Sequence, residues 1–280
     1  MAGSIKKGFA AFRIHFWLIL GSIIMIYPVI WWIGASFKKT EEMRLPKLFP
    51  EVIMWENYTL GWQVTKNFTF THFFKNSIFM GILIIVGSVL TASLVAYAFG
   101  RLRFKFKGLF FSIVLLTLML PPQVLTVPQY ILWNEFGFIN SYVPLVLPSF
   151  FGGSSFFIFL LVQFIRGIPA DLDEAAKIDG CSTYGIYGRI ILPLIKPALV
   201  TVSVFAFIWS WDNFFAQLLY LTDQAKYTVP MGLRLFIDQF EIQWGRLLAM
   251  SLVSIMPSTL IFFFAQKHFV EGIATTGLKG

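Results

Sequence analysis

The chain has 280 residues, 57% of them hydrophobic and 13% charged, with a formal net charge of +8. A soluble globular protein carries about 25% charged and 45–50% apolar residues, so this chain holds more apolar side chain than a soluble fold can bury and reads as an integral membrane protein. The positive balance does not call for nucleic acid, because Lys and Arg retained on the cytoplasmic side of a membrane produce the same excess.

A spanning helix needs about 20 mostly apolar residues, and six stretches supply them. The first is Phe16–Ser36, which follows Lys6, Lys7 and Arg13. Its 21 residues without a charge exceed the roughly 7–15 of a signal-peptide core, and they include Tyr27, Pro28, Trp31 and Trp32. It is therefore a retained span. The second is Ser77–Gly100, uncharged throughout. The third lies within Gly108–Asn134, where Pro121, Pro122 and Pro128 end the helix and turn the chain back against protein. The fourth lies within Phe136–Ile165, the fifth runs from Pro197 to Leu221 with Asp212 inside it, and the sixth is Leu247–Gln266. Unpaired backbone amides are excluded from lipid, so each stretch is expected to be helical. The expected fold class is an all-α integral membrane protein with six transmembrane helices, in a single domain over residues 1–280.

The basic residues set the orientation. With the N-terminus inside, the cytoplasmic segments are 1–15, 101–107, 166–196 and 267–280, and they hold thirteen of the 22 Lys and Arg. The run Arg101-Leu102-Arg103-Phe104-Lys105-Phe106-Lys107 is the densest cluster. The expected topology has both termini in the cytoplasm.

The loop between the fourth and fifth spans has its own helical grammar. Pro169 suits a first helical position, and Asp171, Asp173 and Glu174 favour the positive end of the helix dipole. Asp173 and Lys177 stand at i,i+4, Gly180 is a left-handed stop, Ser182 can cap a second helix, and Pro193 is expected to end it. Ala175 and Ala176 leave a shallow, small-residue surface. By themselves these features describe an ordinary solvated helix pair.

The complete pattern is more specific. Glu174-Ala175-Ala176 is followed by Asp179-Gly180, and Ile191-Leu192-Pro193 closes the segment before the penultimate span. This resembles the EAA loop of ABC importer permeases. Ser36-Phe37-Lys38, Leu120-Pro121-Pro122-Gln123, Trp244-Gly245-Arg246 and the stretch Gln266-Lys267-His268-Phe269-Val270-Glu271-Gly272 are similar to the oligosaccharide (maltose-type) branch of that family. The resemblance implies a type I importer permease fold in a prokaryotic cell membrane. It also implies partners: a second homologous permease, an ATP-binding subunit dimer, an extracytoplasmic sugar-binding protein and membrane lipid. Glu174, Ala175, Ala176, Asp179 and Gly180 would then dock in a cleft of the ATPase, and the tail residues Glu271, Gly272, Gly277 and Lys279 would reach the ATPase dimer. The chain has no Gly-x4-Gly-Lys-Ser/Thr loop, so it is expected to be no enzyme and to bind no cofactor, with ATP and Mg held by the partner.

Asp212 is the one acid inside a span. About 1.5 Å per residue from Pro197 places it about 22 Å into a hydrocarbon core of about 30 Å. An acid in a span usually faces a cavity or a partner. With Trp209, Trp211 and Asn213 it would line a substrate path, rings covering sugar faces and polar groups taking hydroxyls. The other reading is an aromatic belt at the outer interface. The branch usually shows Trp-Asn-Asp or Trp-Asn-Glu where this chain has Trp209-Ser210-Trp211-Asp212-Asn213-Phe214. A secondary transporter is the alternative function, but it should show paired ionisable groups and repeat halves. The single Cys181 excludes an internal disulfide, and His15, His72 and His268 are too far apart for metal-ligand spacing.

Overall fold

The computed structural model describes the backbone of residues 2–237 and 242–277 and the side chains of residues 12–237 and 242–266. In chain order the helices are α1 (Ala2–Ser36), α2 (Glu56–Trp62), α3 (Phe70–Arg101), α4 (Lys107–Met119), α5 (Thr126–Glu135), α6 (Val143–Val146), α7 (Ser155–Gly167), α8 (Asp171–Ile178), α9 (Thr183–Ile186), α10 (Leu192–Leu194), α11 (Lys196–Asp212), α12 (Phe214–Tyr220), α13 (Val229–Arg234) and α14 (Trp244–Gly277). Among the described residues the only extended pairing is the isolated bridge between Ile237 and Ile242. The fold is all-α.

Four helical segments are long and apolar enough to cross a bilayer: Phe12–Ser36, Phe70–Arg101, Val143–Gly167 and Trp244–Gln266. Among the described residues, two bent pairs pass the same test together, which gives up to six if each pair is one span. Lys107–Met119 turns by 98° into Pro122–Glu135, and Thr183–Leu194 turns by 76° into Lys196–Asp212. The expected apolar runs are all present, but three of them are interrupted. The Pro121-Pro122 break falls where the prolines remove backbone donors, whereas Pro128 sits in the first turn of α5, where no donor is needed. The fourth run is helical without interruption only from Ser155, because Gly152 adopts φ +84 and ends the 3-10 turn Leu147–Phe151. The fifth breaks at Asn213, whose ψ of 68 leaves the helical region before α12 restarts.

That break is compatible with an apolar setting because its freed groups find partners. Gln217, fully buried, donates from Nε2 to the Ser210 carbonyl at 3.1 Å and accepts from the Thr228 hydroxyl. Helix α14 continues to Gly277, beyond the apolar stretch that ends at Gln266. A lone Gly272 costs about 1 kcal/mol in a helix and does not stop one.

The chain divides into two compact units. The first comprises Met1–Phe70 and Leu233–Ile255. Here the Trp32 indole donates to the Ser251 hydroxyl at 3.2 Å, tying α1 to α14. Phe37 packs between Trp55 and Tyr58, with ring centroids at 5.0 and 5.1 Å. Lys38 is buried, and its ammonium donates to the Lys47 carbonyl.

The second unit comprises Thr71–Gly232 and Met256–Gly280. Its core joins α3, α7 and α11 through Ala92, Ala96, Leu161, Ile165, Ala198 and Val202, all buried. Small residues permit this close approach. A β-carbon on Gly100 would lie 2.5 Å from the Ile165 side chain, and one on Gly87 would lie 2.4 Å from the Ser149 hydroxyl.

In the same unit, Asn140 is held at φ +57. Its side-chain oxygen accepts from the amides of Thr222 and Asp223, and its carbonyl accepts from Lys226. The adjacent Tyr142 hydroxyl donates to the Lys226 carbonyl at 3.0 Å. Burial, assisted by the Asp223 charge, pushes the Tyr142 pKa up to about 12.

Candidate functional site

An eight-residue helix is too short to persist alone, so α8 must be held by what surrounds it. It turns Asp173 and Ala176 inward, at 8% and 6% exposure, and leaves Glu174, Ala175 and Asp179 exposed. Two apolar side chains point away from the core as well: Ile178 is 87% exposed and Tyr184 82%. With the exposed Leu172 they put apolar surface beside the charged residues of α8, available to a contact. Neither Ile178 nor Tyr184 belonged to the set expected from sequence, although the outward register of Ile178 was available from the helical period of α8.

The end of α8 is built as expected. Gly180 has φ +79. The Cys181 amide donates to the Ala176 carbonyl at 2.9 Å and the Gly180 amide to the Lys177 carbonyl at 3.0 Å, which together form a Schellman stop. The Ser182 hydroxyl caps α9 by accepting from the Gly185 amide at 3.2 Å.

Four details of the loop differ from expectation. Helix α8 starts after Ala170, not at Pro169, and has no side-chain cap. Asp173 pairs with Arg101, not with Lys177: Arg101 Nε lies 3.2 Å from Asp173 Oδ2. Inward rotation of Asp173 removes it from the exposed Lys177 and brings it to the end of α3. Ala176 is packed in the core and is not part of an open surface. Pro193 does not end the second helix. A π-type turn over Tyr187–Ile191 widens the backbone ladder, and the helical run continues to Leu194 before bending at Ile195.

The second candidate region is the end of α11. Trp209 is 47% exposed, with its ring stacked on Phe157 at 5.0 Å. Asp212 and Asn213 are also exposed. Trp211 does not share that side. It is 4% exposed, stacked on Phe207 at 5.3 Å and tilted against Phe74 at 5.6 Å. The expectation that both tryptophans line one surface is therefore corrected, since residues two apart on a helix face in different directions. Asn213 has a structural duty as well, because its Oδ1 accepts from the Ala216 amide at 3.2 Å and caps α12. The side chain of Glu271, the surroundings of Gly272 and Gly277, and Lys279 as a whole lie outside the described residues. Among the described residues, no cluster of three His, Cys, Asp or Glu could hold a metal ion.

A helical membrane chain presenting a capped helix pair from its core invites comparison with known transport proteins. The family described as "binding-protein-dependent transport system inner membrane component" matches residues 89–274. The chain belongs to that family. As an inner-membrane component it is the permease part of an ABC importer, and ATP hydrolysis resides on a separate subunit.

Curated relatives of this permease align along almost its full length. It is 34% identical over 268 residues to the probable ABC transporter permease protein YurM of Bacillus subtilis, covering 94% of this chain and 87% of that protein. It is 33% identical over 263 residues to the arabinooligosaccharides transport system permease protein AraQ of Halalkalibacterium halodurans, covering 92% and 93%. It is 34% identical over 271 residues to the trehalose/maltose transport system permease protein MalG of Thermococcus litoralis, covering 94% and 96%. Its fold is similar to that of a bacterial ABC transporter involved in the import of the acidic polysaccharide alginate. That match has a TM-score of 0.80 at 22% identity and covers 93% of this chain and 97% of that one.

Proposed function

We propose that this permease pairs with a second, homologous one to form the path for a sugar, an oligosaccharide being the best match. An extracytoplasmic binding protein delivers the sugar, and an ATPase dimer holding ATP and Mg drives the cycle. The reading has six spans in one membrane domain, both termini in the cytoplasm, and a location in a prokaryotic cytoplasmic membrane. The observation that carries it is the loop 166–196: its helices are fixed from beneath by Asp173 and Ala176 while Ile178 and Tyr184 stay exposed. Glu174, Ala175, Asp179 and Gly180 share that outer surface, so docking on the ATPase would bury apolar area already turned outward. Relatives named for arabinooligosaccharide and trehalose/maltose transport support the sugar class. A solved alginate ABC transporter in complex with its pentasaccharide-bound periplasmic protein supports a binding-protein partner.

Within the membrane, Trp209, Asp212 and Asn213 are the path residues in this reading, and Trp211 supports them from behind. The tail residues Glu271, Gly272, Gly277 and Lys279 are assigned to the ATPase dimer.

The test is reconstitution of this chain with its second permease, ATPase and binding protein in liposomes, followed by a panel of neutral and acidic oligosaccharides. The expected result is sugar-dependent stimulation of ATP hydrolysis with uptake of the same sugar. Uptake driven by an ion gradient without ATP would overturn the proposal.

A further inference from the structure

One face of α3 carries a polar side chain at each of its last three turns. Ser93, Tyr97 and Arg101 stand at i, i+4 and i+8, so they align along the helix. Each reaches a different part of the loop 166–196. Ser93 Oγ lies 2.8 Å from the Tyr187 hydroxyl, in the π-type turn. The Tyr97 hydroxyl donates to the Thr183 carbonyl at 3.1 Å, at the start of α9. Arg101 Nη2 donates to the Ile168 carbonyl at 2.7 Å, ahead of α8, and Nε approaches Asp173 within α8. Ser93 and Tyr97 are both buried, and Tyr97 borders the charged pair of Arg101 and Asp173.

Stability alone is a poor account of this stripe. Arg101 Nε and Asp173 Oδ1 are buried without a hydrogen-bond partner, and a buried ion pair left partly unsatisfied returns little net stability. What directional bonds at three successive levels do provide is a fixed register between a span and a loop. Of the loop's two covalent routes into the membrane, one leads back through Ile168 to α7 and the other passes through the 76° bend between α10 and α11, where a displacement can be absorbed as a change of angle. The polar stripe bypasses that bend. A cleft of ≈ 590 Å³ lined by Tyr97, Arg101, Asp173 and Lys177 also borders the ion pair, which leaves room for the loop to shift.

We infer that Ser93, Tyr97 and Arg101 are positioning residues that transfer displacement of the coupling loop to α3, and through α3 to the substrate path. This rests on the proposed docking of loop 166–196 on the ATPase. The stripe is the rigid connection, and the bend at Ile195 is the compliant one.

The test uses the reconstituted complex and two variants. Ser93→Ala/Tyr97→Phe removes two hydroxyls and keeps the packing. Arg101→Met/Asp173→Leu removes both charges together and orphans neither. Each is measured for uptake, for ATP hydrolysis and for cross-linking of Ile178→Cys, in a Cys181→Ser background, to the ATPase. The expected result is an intact cross-link and ATP hydrolysis, with sugar moved per ATP reduced about 3- to 10-fold by loss of the two hydroxyl bonds, and more by loss of the ion pair. If the charge-free variant fails to assemble, the hydroxyl variant decides. Unchanged sugar moved per ATP with an intact cross-link would overturn the inference, even where thermal stability falls, because a merely structural role moves only stability. If the unaltered stripe gives no cross-link through Ile178→Cys, the docking reading fails first and takes this inference with it.

Discussion

A β-carbon added to Gly245 would lie 2.6 Å from both amide atoms of Asn57. The Asn57 amide sits there because it donates to the Ser36 and Lys38 carbonyls, each at 2.9 Å, where α1 ends. A helix terminus leaves carbonyls without intrahelical partners, and Asn57 satisfies them from outside the helix. Gly245 is thus required by close approach. Gly245→Ala should displace Asn57 and cost about 1–3 kcal/mol. Thermal unfolding of the purified chain in detergent should show a lower Tm, by about 2–4 °C for each kcal/mol lost. In the background of Asn57→Ala the same substitution should cost much less, and an equal cost in both backgrounds would exclude the clash.

The exposed loop surface yields a second prediction. Ile178 and Tyr184 touch little in the isolated chain, so Ile178→Asp and Tyr184→Ala should change its stability by no more than about 0.5 kcal/mol. Co-purification with the ATPase should fall about 10-fold or more, since truncating a contact anchor costs about 2 kcal/mol or more. Gly180→Ile should impair coupling by another route, forcing a branched residue into the left-handed region at about 1–2 kcal/mol. Normal co-purification of all three variants would remove the loop from the interface.

Asp212 supplies the third. An unpaired acid within a span costs about 2.5–3.5 kcal/mol on insertion scales, so its retention at the break before α12 calls for a compensating role. Asp212→Asn keeps shape and hydrogen bonding and should alter uptake rate or sugar preference with near-normal expression. Asp212→Leu should impair uptake further. Normal uptake of every tested sugar by the Leu variant would leave Asp212 as an interface residue.

The fourth concerns orientation. Phe104 and Leu60 are both exposed. Phe104→Cys and Leu60→Cys, each in a Cys181→Ser background, should label from opposite sides of the membrane with an impermeant thiol reagent, Phe104→Cys from the cytoplasm. Labelling of both from outside would reverse the topology drawn from the basic clusters.

Much of the loop was legible because its signals act over four or five residues. The left-handed stop at Gly180 and the cap by Ser182 follow from the local backbone. The partner of Asp173 was not legible, because the competition lay between a neighbour on its own helix and an arginine at the end of another span. Trp209 and Trp211 have equal claims by composition, yet one is exposed and the other stacked on Phe207.

The apolar runs and the Glu174-Ala175-Ala176 to Gly180 pattern determined the membrane class, the helical fold and the permease family. These depend on solvent and on local backbone chemistry, both written along the chain. Tertiary structure alone decided which groups satisfy one another across helices: Arg101 with Asp173, Asn57 with the end of α1, and Gln217 with the carbonyl freed at Ser210. In an apolar interior an unmet polar group is costly, so its partner is chosen by whichever helix packs alongside. That choice is a property of the packed fold and not of any stretch of sequence.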